Sequence, residues 1–177
     1  MKRLVTLMLL VLATPALAQK RAPATSSPGV AAVRTVWEIQ SAYVLRAAEQ
    51  MPEADYAFQP VSTVRTFGQQ IGHVAGAQNL FCAAALGEPS KGEDEIEKTM
   101  TTKPQLVAAL RGSNEYCRRA YAQTDAAAAR STSLFGETRS RLFALALNAA
   151  HDAEHYGNMV TYLRIKGMVP PSSQPNP

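Results

Sequence analysis

From about Thr138 to Lys166 the chain reads as one long helix, stopped by Gly167 with Pro170 and Pro171 just beyond. It is the longest helical segment in the sequence, and it carries His151 and His155, two of the chain's three histidines, four positions apart. At about 1.5 Å rise and 100° of turn per residue, both imidazoles face the same way, about 6 Å apart, within reach of a single metal ion. Leu147, Asn148, Asn158, Met159 and Tyr162 lie within about a quarter turn of the pair. A face that mixes apolar residues with a few polar groups suits a bundle interior holding a site better than a solvated surface, which would carry Lys and Glu. His73 is the candidate to complete a three-nitrogen site from a second helix.

The spacing alone leaves two readings open. Histidines on an apolar face are often core residues satisfied by hydrogen bonds, and a His-x-x-x-His pair on a helix is also a common metal-binding arrangement. Metal binding is favoured because a single site accounts for every histidine in the chain.

Residues 1–18 (MKRLVTLMLLVLATPALA) have a basic start, an apolar run from Leu4 to Leu12 and a small-x-small ending, the pattern of a secretory signal cleaved after Ala18. The expected mature protein is periplasmic or secreted. No later stretch approaches the roughly 18 uninterrupted apolar residues of a membrane span, so no membrane association is expected after cleavage. Cleavage removes two positive charges and no negative ones, taking the formal net charge from +4 to +2, too little to argue for a nucleic-acid partner. Residues 19–30 are rich in Pro, Ser and Ala and read as a flexible leader. Residues 31–170 form the expected domain and residues 171–177 a tail without structure.

Within that domain Val33, Val36, Trp37, Ile39, Tyr43, Val44 and Ala47 recur at helical spacing, giving a first helix from Ala31 to about Gln50. Residues 51–65 contain two prolines and form a long connection. Thr66 and Gln69 make a capping box for a second helix that ends at Gly87. Its core stripe is Phe67, Ile71, Val74 and Phe81. His73 lies on the adjacent face with Gln69, assigned to capping, and Gln70, which can bond a ring nitrogen or a ligand. Residues 87–102 form a long polar crossover whose Glu93-Asp94-Glu95 run reads as a solvated face. Thr102 and Gln105 make a second capping box, opening a third helix to about Gln123, and residues 125–133 read as an Ala-rich extension fraying into a loop. With no alternating strand pattern and no internal repeat, four amphipathic helices imply an all-α four-helix bundle.

The two cysteines, Cys82 and Cys117, test that topology. If the second and third helices run parallel, both cysteines fall at similar heights; antiparallel, they would stand about 15 Å apart along the axis, beyond the ~7 Å Cα limit of a disulfide. A bridge is allowed in an exported chain, and two buried small hydrophobes are the alternative. With no CxxC, a redox motif is disfavoured.

The stretches TFGQQIGHVAGAQNLFCAAALG and HDAEHYGNMVTYLRIKGMVPPSS resemble the DinB-like (YfiT-like) superfamily of metal-dependent enzymes over nearly all of the mature domain. The resemblance implies a four-helix bundle with a crossover between helices two and three, and a divalent metal, zinc before nickel, on His73, His151 and His155. Family members with assigned activity are thiol-dependent transferases or isomerases. The Arg-Gly-Gln that often follows the second histidine of the pair appears here as Tyr156-Gly157-Asn158.

Three neutral imidazoles leave a coordination position open, which suits a catalytic ion acting as a Lewis acid on water, a thiol or the carbonyl of a small-molecule substrate. Glu154 and Asp152 flank the histidine stripe; each can orient a ligand or act as a base, or be an ordinary solvated carboxylate. Asn158 and Tyr162 point toward ligand contacts or serve packing. The expected protein is therefore an exported metalloenzyme of thiol-transfer or hydrolytic type, monomeric or homodimeric. The rivals are a metal-holding or interaction bundle without turnover and a structural bundle without metal.

Overall fold

In the computed structural model the described residues are 28–90 and 92–175; the expected signal and residues 19–27 of the expected leader lie outside them. The element order is α1 (Pro28–Gln50), α2 (Phe67–Leu86), the short α3 (Glu95–Thr99), α4 (Lys103–Ala120), the single turn α5 (Asp125–Ala128), the antiparallel hairpin β1 (Ser131–Leu134) and β2 (Glu137–Ser140), and α6 (Arg141–Ile165). The four long helices are the four anticipated, and the fold is an all-α bundle. No helix among the described residues is long and apolar enough to cross a membrane.

Both capping boxes form. Thr66 Oγ1 accepts from the Gln69 amide at 3.2 Å while Gln69 Oε1 accepts from the Thr66 amide at 2.8 Å. Gln105 Oε1 reaches back to the Thr102 amide at 3.3 Å. Gly87 ends α2 at φ 74°, with the Glu88 amide donating to Ala83 O and the Gly87 amide to Ala84 O, which satisfies two carbonyls the helix leaves over.

Four boundaries differ from expectation. The first helix begins at Pro28, not Ala31, because the Asp125 carboxylate accepts from the Gly29 and Val30 amides at 3.1 and 2.8 Å. A cap supplied by a residue so distant in sequence lies outside any local pattern. The third helix ends at Ala120, short of Gln123. The last helix starts at Arg141 because residues 131–140 form the hairpin, closed by Phe135 and Gly136 at φ 52° and 77°. Two successive positive φ values are what a two-residue hairpin loop needs. The expected tail is packed through Gln174: Pro171 is buried, the Tyr156 hydroxyl donates to Ser172 Oγ at 2.8 Å, and Arg46 donates to Gln174 Oε1 at 2.8 Å.

The core has two apolar clusters. One holds Trp37, Phe81, Cys82, Cys117, Tyr121 and Leu145; the other holds Val44, Phe67, Ile71, Leu110, Met159 and Leu163. The first cluster takes the start of α1 and α6 with the end of α2 and α4, and the second takes the opposite ends. Hence α1 and α6 run one way, and α2 and α4 run together the other way.

Along every helix, the residues between the two clusters include buried polar ones: Ser41 on α1, Gln78 on α2, Ser113 and Asn114 on α4, and Asp152 on α6. Gln78 ties three helices, accepting from Trp37 Nε1 at 2.9 Å and donating to Asn114 Oδ1 at 2.8 Å and Ser113 Oγ at 3.2 Å. The histidines lie in this belt.

Cys82 and Cys117 are joined as a disulfide between α2 and α4, with Cα atoms 5.3 Å apart, the equal-height arrangement of parallel helices. The sequence separation of 35 puts its entropic contribution at about 3 to 4 kcal/mol. A Cys82→Ser/Cys117→Ser variant is expected to unfold about 10 °C lower by calorimetry with its helical circular dichroism intact. An unchanged midpoint would mean that packing alone aligns the two helices.

Candidate metal centre

His73 sits in the middle of α2, and His151 and His155 occupy successive turns of α6. α2 and α6 pack directly and antiparallel, so the single ring from α2 meets the pair. The ring centroids are 5.0 Å (His73 to His151), 4.7 Å (His73 to His155) and 4.3 Å (His151 to His155) apart. One ring nitrogen from each lies within 4.8 Å of the others, and the group could hold a metal ion.

One ring has its far nitrogen held by a hydrogen bond. His155 Nδ1 donates to Gln70 Oε1 at 2.7 Å, which leaves the Nε2 lone pair for a ligand. Gln70 therefore holds His155 in one tautomer. His73 Nδ1 faces Glu97 Oε2 at 3.6 Å, and Glu97 is fixed by Arg65 Nε at 3.0 Å. His73 Nε2 points inward, 3.1 Å from His151 Nε2. Two nitrogens bound tetrahedrally at about 2.0–2.1 Å would stand roughly 3.4 Å apart, so the His73–His151 pair is spaced close to what one small divalent ion requires.

Burial, first among the causes, lowers all three imidazole pKa values: His73 and His155 to about 4 and His151 to about 3. The Arg65 charge lowers each further; His155 and His73 depress His151, and His73 depresses His155. The rings are neutral at pH 7, the state in which imidazole ligates metal. The buried Nδ1 atoms of His73 and His151 lack a hydrogen-bond partner among the described residues. The donor set fits a divalent ion of zinc type.

The other residues singled out from the sequence divide. Glu154 and Asn158 are exposed and line a polar cleft of about 720 Å³ that reaches His155, with Arg65, Gln69, Gln70 and Glu97 on its walls. Tyr162 belongs elsewhere: it is buried in the lower apolar cluster, and its hydroxyl donates to Arg65 O at 2.6 Å. It fixes the Arg65 loop through the backbone. Asp152 is no solvated carboxylate. It is fully buried, neither oxygen has a hydrogen-bond partner among the described residues, and burial pushes its pKa well up.

Arg65, Glu93 and Glu97 were not foreseen as site residues. The Glu93-Asp94-Glu95 run is not simply a solvated face, because Glu93 Oε1 stands 3.5 Å from His73 Nε2. Burial, then the neighbouring Asp94 charge, raises the Glu93 pKa. The signal was present in the glycines at positions 72 and 76. A Cβ at Gly76 would lie 1.8 Å from Glu93 O, and one at Gly72 would lie 2.8 Å from Glu97 Cα. Only glycine lets the crossover backbone lie that close to α2.

The fold has counterparts among known proteins. Residues 37–159 match the DinB superfamily. A DinB-like protein from Bacillus cereus ATCC 10987 superposes with a TM-score of 0.68 at 17% identity, covering 78% of this chain and 93% of that one. A DinB-like protein from Bacillus subtilis gives 0.64 at 19% identity, covering 82% and 99%. A mycothiol-dependent maleylpyruvate isomerase gives 0.60 at 16% identity, covering 73% of this chain and 60% of that chain. No curated protein matches in sequence. At these identities the solved structures establish the fold, and the sequence match establishes the family. By its own residues 37–159, the chain belongs to the DinB superfamily.

Proposed function

We propose that His73, His151 and His155 hold one divalent ion, zinc before nickel, and that the protein is a metal-dependent enzyme of thiol-transfer or hydrolytic type. The observation that carries this is the convergence of three neutral imidazoles at one point in the buried belt. When bound, such an ion supplies Lewis acidity, drawing the pKa of a coordinated water or thiol toward neutrality. The chain's own residues then orient and admit. Gln70 fixes His155, Arg65 and Glu97 fix His73, and the cleft admits a small molecule beside His155. Glu154 and Asn158, on the cleft wall, are the groups available to contact the substrate, and Glu154 to exchange its proton with solvent.

The thiol-transfer class draws support from the fold shared with the mycothiol-dependent isomerase. Export to the periplasm or medium rests on the pattern of residues 1–18 and is supported by the Cys82–Cys117 disulfide, a bond that persists in oxidising compartments. A metal-holding bundle without turnover is the second reading, favoured by the carboxylates of Glu93 and Glu97 against the His73 ring.

Elemental analysis of protein beginning at Gln19, prepared without a histidine tag, should find about one zinc or nickel per chain. The metal should be lost in each of His73→Ala, His151→Ala and His155→Ala. No uptake by the wild type after reconstitution would remove the ion and the enzyme reading together.

The depressed histidine pKa values add a pH dependence to the metal-free protein. Below about pH 6.5 the unfolded chain binds protons that the folded one refuses, so stability falls with falling pH. The loss should run from about pH 6.5 toward the folded values of about 4 and 3, at no more than about 4 kcal/mol per pH unit for three groups. Urea titrations of chelator-treated protein across this range will measure it, and each His→Ala variant should flatten the slope.

A further inference from the structure

α2 ends at one end of the bundle and α4 begins at the other, so residues 87–102 return along the length of α2. The route passes His73, where Gly72 and Gly76 admit the crossover backbone at Glu97 and Glu93. The His73 ring therefore has two polar edges. Its Nε2 faces the α6 histidines, 3.1 Å from His151 Nε2, and its Nδ1 faces the crossover, 3.6 Å from Glu97 Oε2.

The inner edge is accounted for and the outer one is not. His73 is 7% exposed, its Nδ1 is buried without a hydrogen-bond partner among the described residues, and 3.6 Å is too long for a hydrogen bond from an N–H. His73, Asp94 and Glu97 each offer a ligand atom within 4.8 Å of the other two, a group that shares only the His73 ring with the histidine trio. Both carboxylates keep one oxygen to spare: Arg65 Nε holds Glu97 Oε1 at 3.0 Å, and Lys98 Nζ holds Asp94 Oδ2 at 2.9 Å. Lys98 is 71% exposed, and a surface pair of that kind yields readily. Adjacent donors on one small divalent ion stand roughly 3.4 Å apart, close to the spacing of Nδ1 and Glu97 Oε2. A buried nitrogen lone pair facing carboxylate oxygens is satisfied by a cation between them.

We propose that His73 Nδ1, Asp94 and Glu97 form an outer site for a divalent cation, through which the ion of the inner histidine trio is loaded. The loading step rests on the three-histidine reading above; the outer site does not. Asp94, 54% exposed, opens the site to solvent, and the buried ring leads inward. A neutral imidazole has one lone pair, so the ring serves one ion at a time. With the ion on Nδ1, the ring proton sits on Nε2 and is donated to His151 Nε2 across the 3.1 Å contact. With the ion in the trio, the proton sits on Nδ1 and points at Glu97 Oε2. Passing the ion inward therefore releases the Nε2 proton to solvent and takes one up from solvent at Nδ1.

The test uses the full mature chain from Gln19, freed of metal with a chelator, with circular dichroism confirming that each variant is folded. A His151→Ala/His155→Ala variant removes the inner trio and keeps the outer group. Mn(II) is the probe there, since carboxylates suit it, and its binding is counted by loss of the free-ion paramagnetic resonance signal. About one Mn(II) per chain is expected, with affinity weakened about 10-fold or more by Asp94→Asn or Glu97→Gln. Glu95→Gln removes the same charge from an exposed neighbour outside the group and should change the affinity less than about 3-fold at physiological salt. In the chain with all three histidines, Asp94→Asn should slow Co(II) uptake, followed by stopped-flow absorbance, about 10-fold or more while changing the final affinity less than about 3-fold.

A folded double variant that binds no Mn(II), or one weakened as much by Glu95→Gln as by Asp94→Asn, overturns the outer site and leaves the inner trio standing. Co(II) uptake that Asp94→Asn does not slow overturns the loading role. Mn(II) bound by the double variant, with no ion retained by the wild-type trio, supports the outer site and overturns loading together with the three-histidine reading.

Discussion

Two neighbouring helices that run parallel cannot be joined by a tight turn, and the join between α2 and α4 therefore has to travel the length of the bundle. The Cys82–Cys117 bridge and the division of the core into two clusters fix that alignment. The chemistry on the α2 side follows from it. Had α2 and α4 formed an antiparallel hairpin, no segment would lie over His73, and its ring would face a helix or solvent. The return path instead carries Glu93 and Glu97 across the ring, and α3 gives that path one turn of regular structure where Glu97 meets Arg65.

What was legible in the sequence was what depends on local pattern. The long helices follow from apolar spacing, their ends from Thr66, Gly87, Thr102 and Gly167, and the histidine pair from an interval of four on one helix. The parallel topology was legible as well, through the equal depth of Cys82 and Cys117 in their helices. What was not legible depends on distant partners. Asp125 caps α1 from 95 residues downstream, and the hairpin has strands of only four residues, too short for an alternating pattern. A charge run such as Glu93-Asp94-Glu95 looks solvated in sequence because nothing local says that two glycines on another helix will admit it.

Tyr162 and Asp152 show the limit of helical-wheel reasoning from opposite sides. Both lie near the histidine stripe by angle, yet Tyr162 extends along the helix to the Arg65 carbonyl and Asp152 is turned into the core. Angle gives the sector in which a side chain leaves its helix. Length and the neighbouring helix decide where its polar atoms end, and neither is contained in the wheel.

Most breaches of ordinary stability rules among the described residues of this bundle gather at one level. Gly72 and Gly76 interrupt a helix interior, at about 1 kcal/mol each against Ala. Within about two turns of His151 lie buried polar atoms without partners among the described residues: Asn148 Oδ1, both Asp152 oxygens, and the Nδ1 atoms of His73 and His151. Each such atom costs about 1 to 3 kcal/mol relative to a satisfied or apolar replacement. Outside this level Arg141 Nε, at the start of α6, is a further buried polar atom without a partner among the described residues; otherwise the helices pack conventionally, with Trp37 and Tyr121 stacked at 4.5 Å in one cluster and Tyr56 against Phe67 at 5.4 Å in the other. A bundle serving only as a scaffold would be more stable with apolar residues through the belt. Departures of this kind in an otherwise consistent fold concentrate where a chain does its chemistry. The two apolar clusters hold the helices firmly enough to carry that cost, and the polar level between them keeps three imidazoles directed at one point.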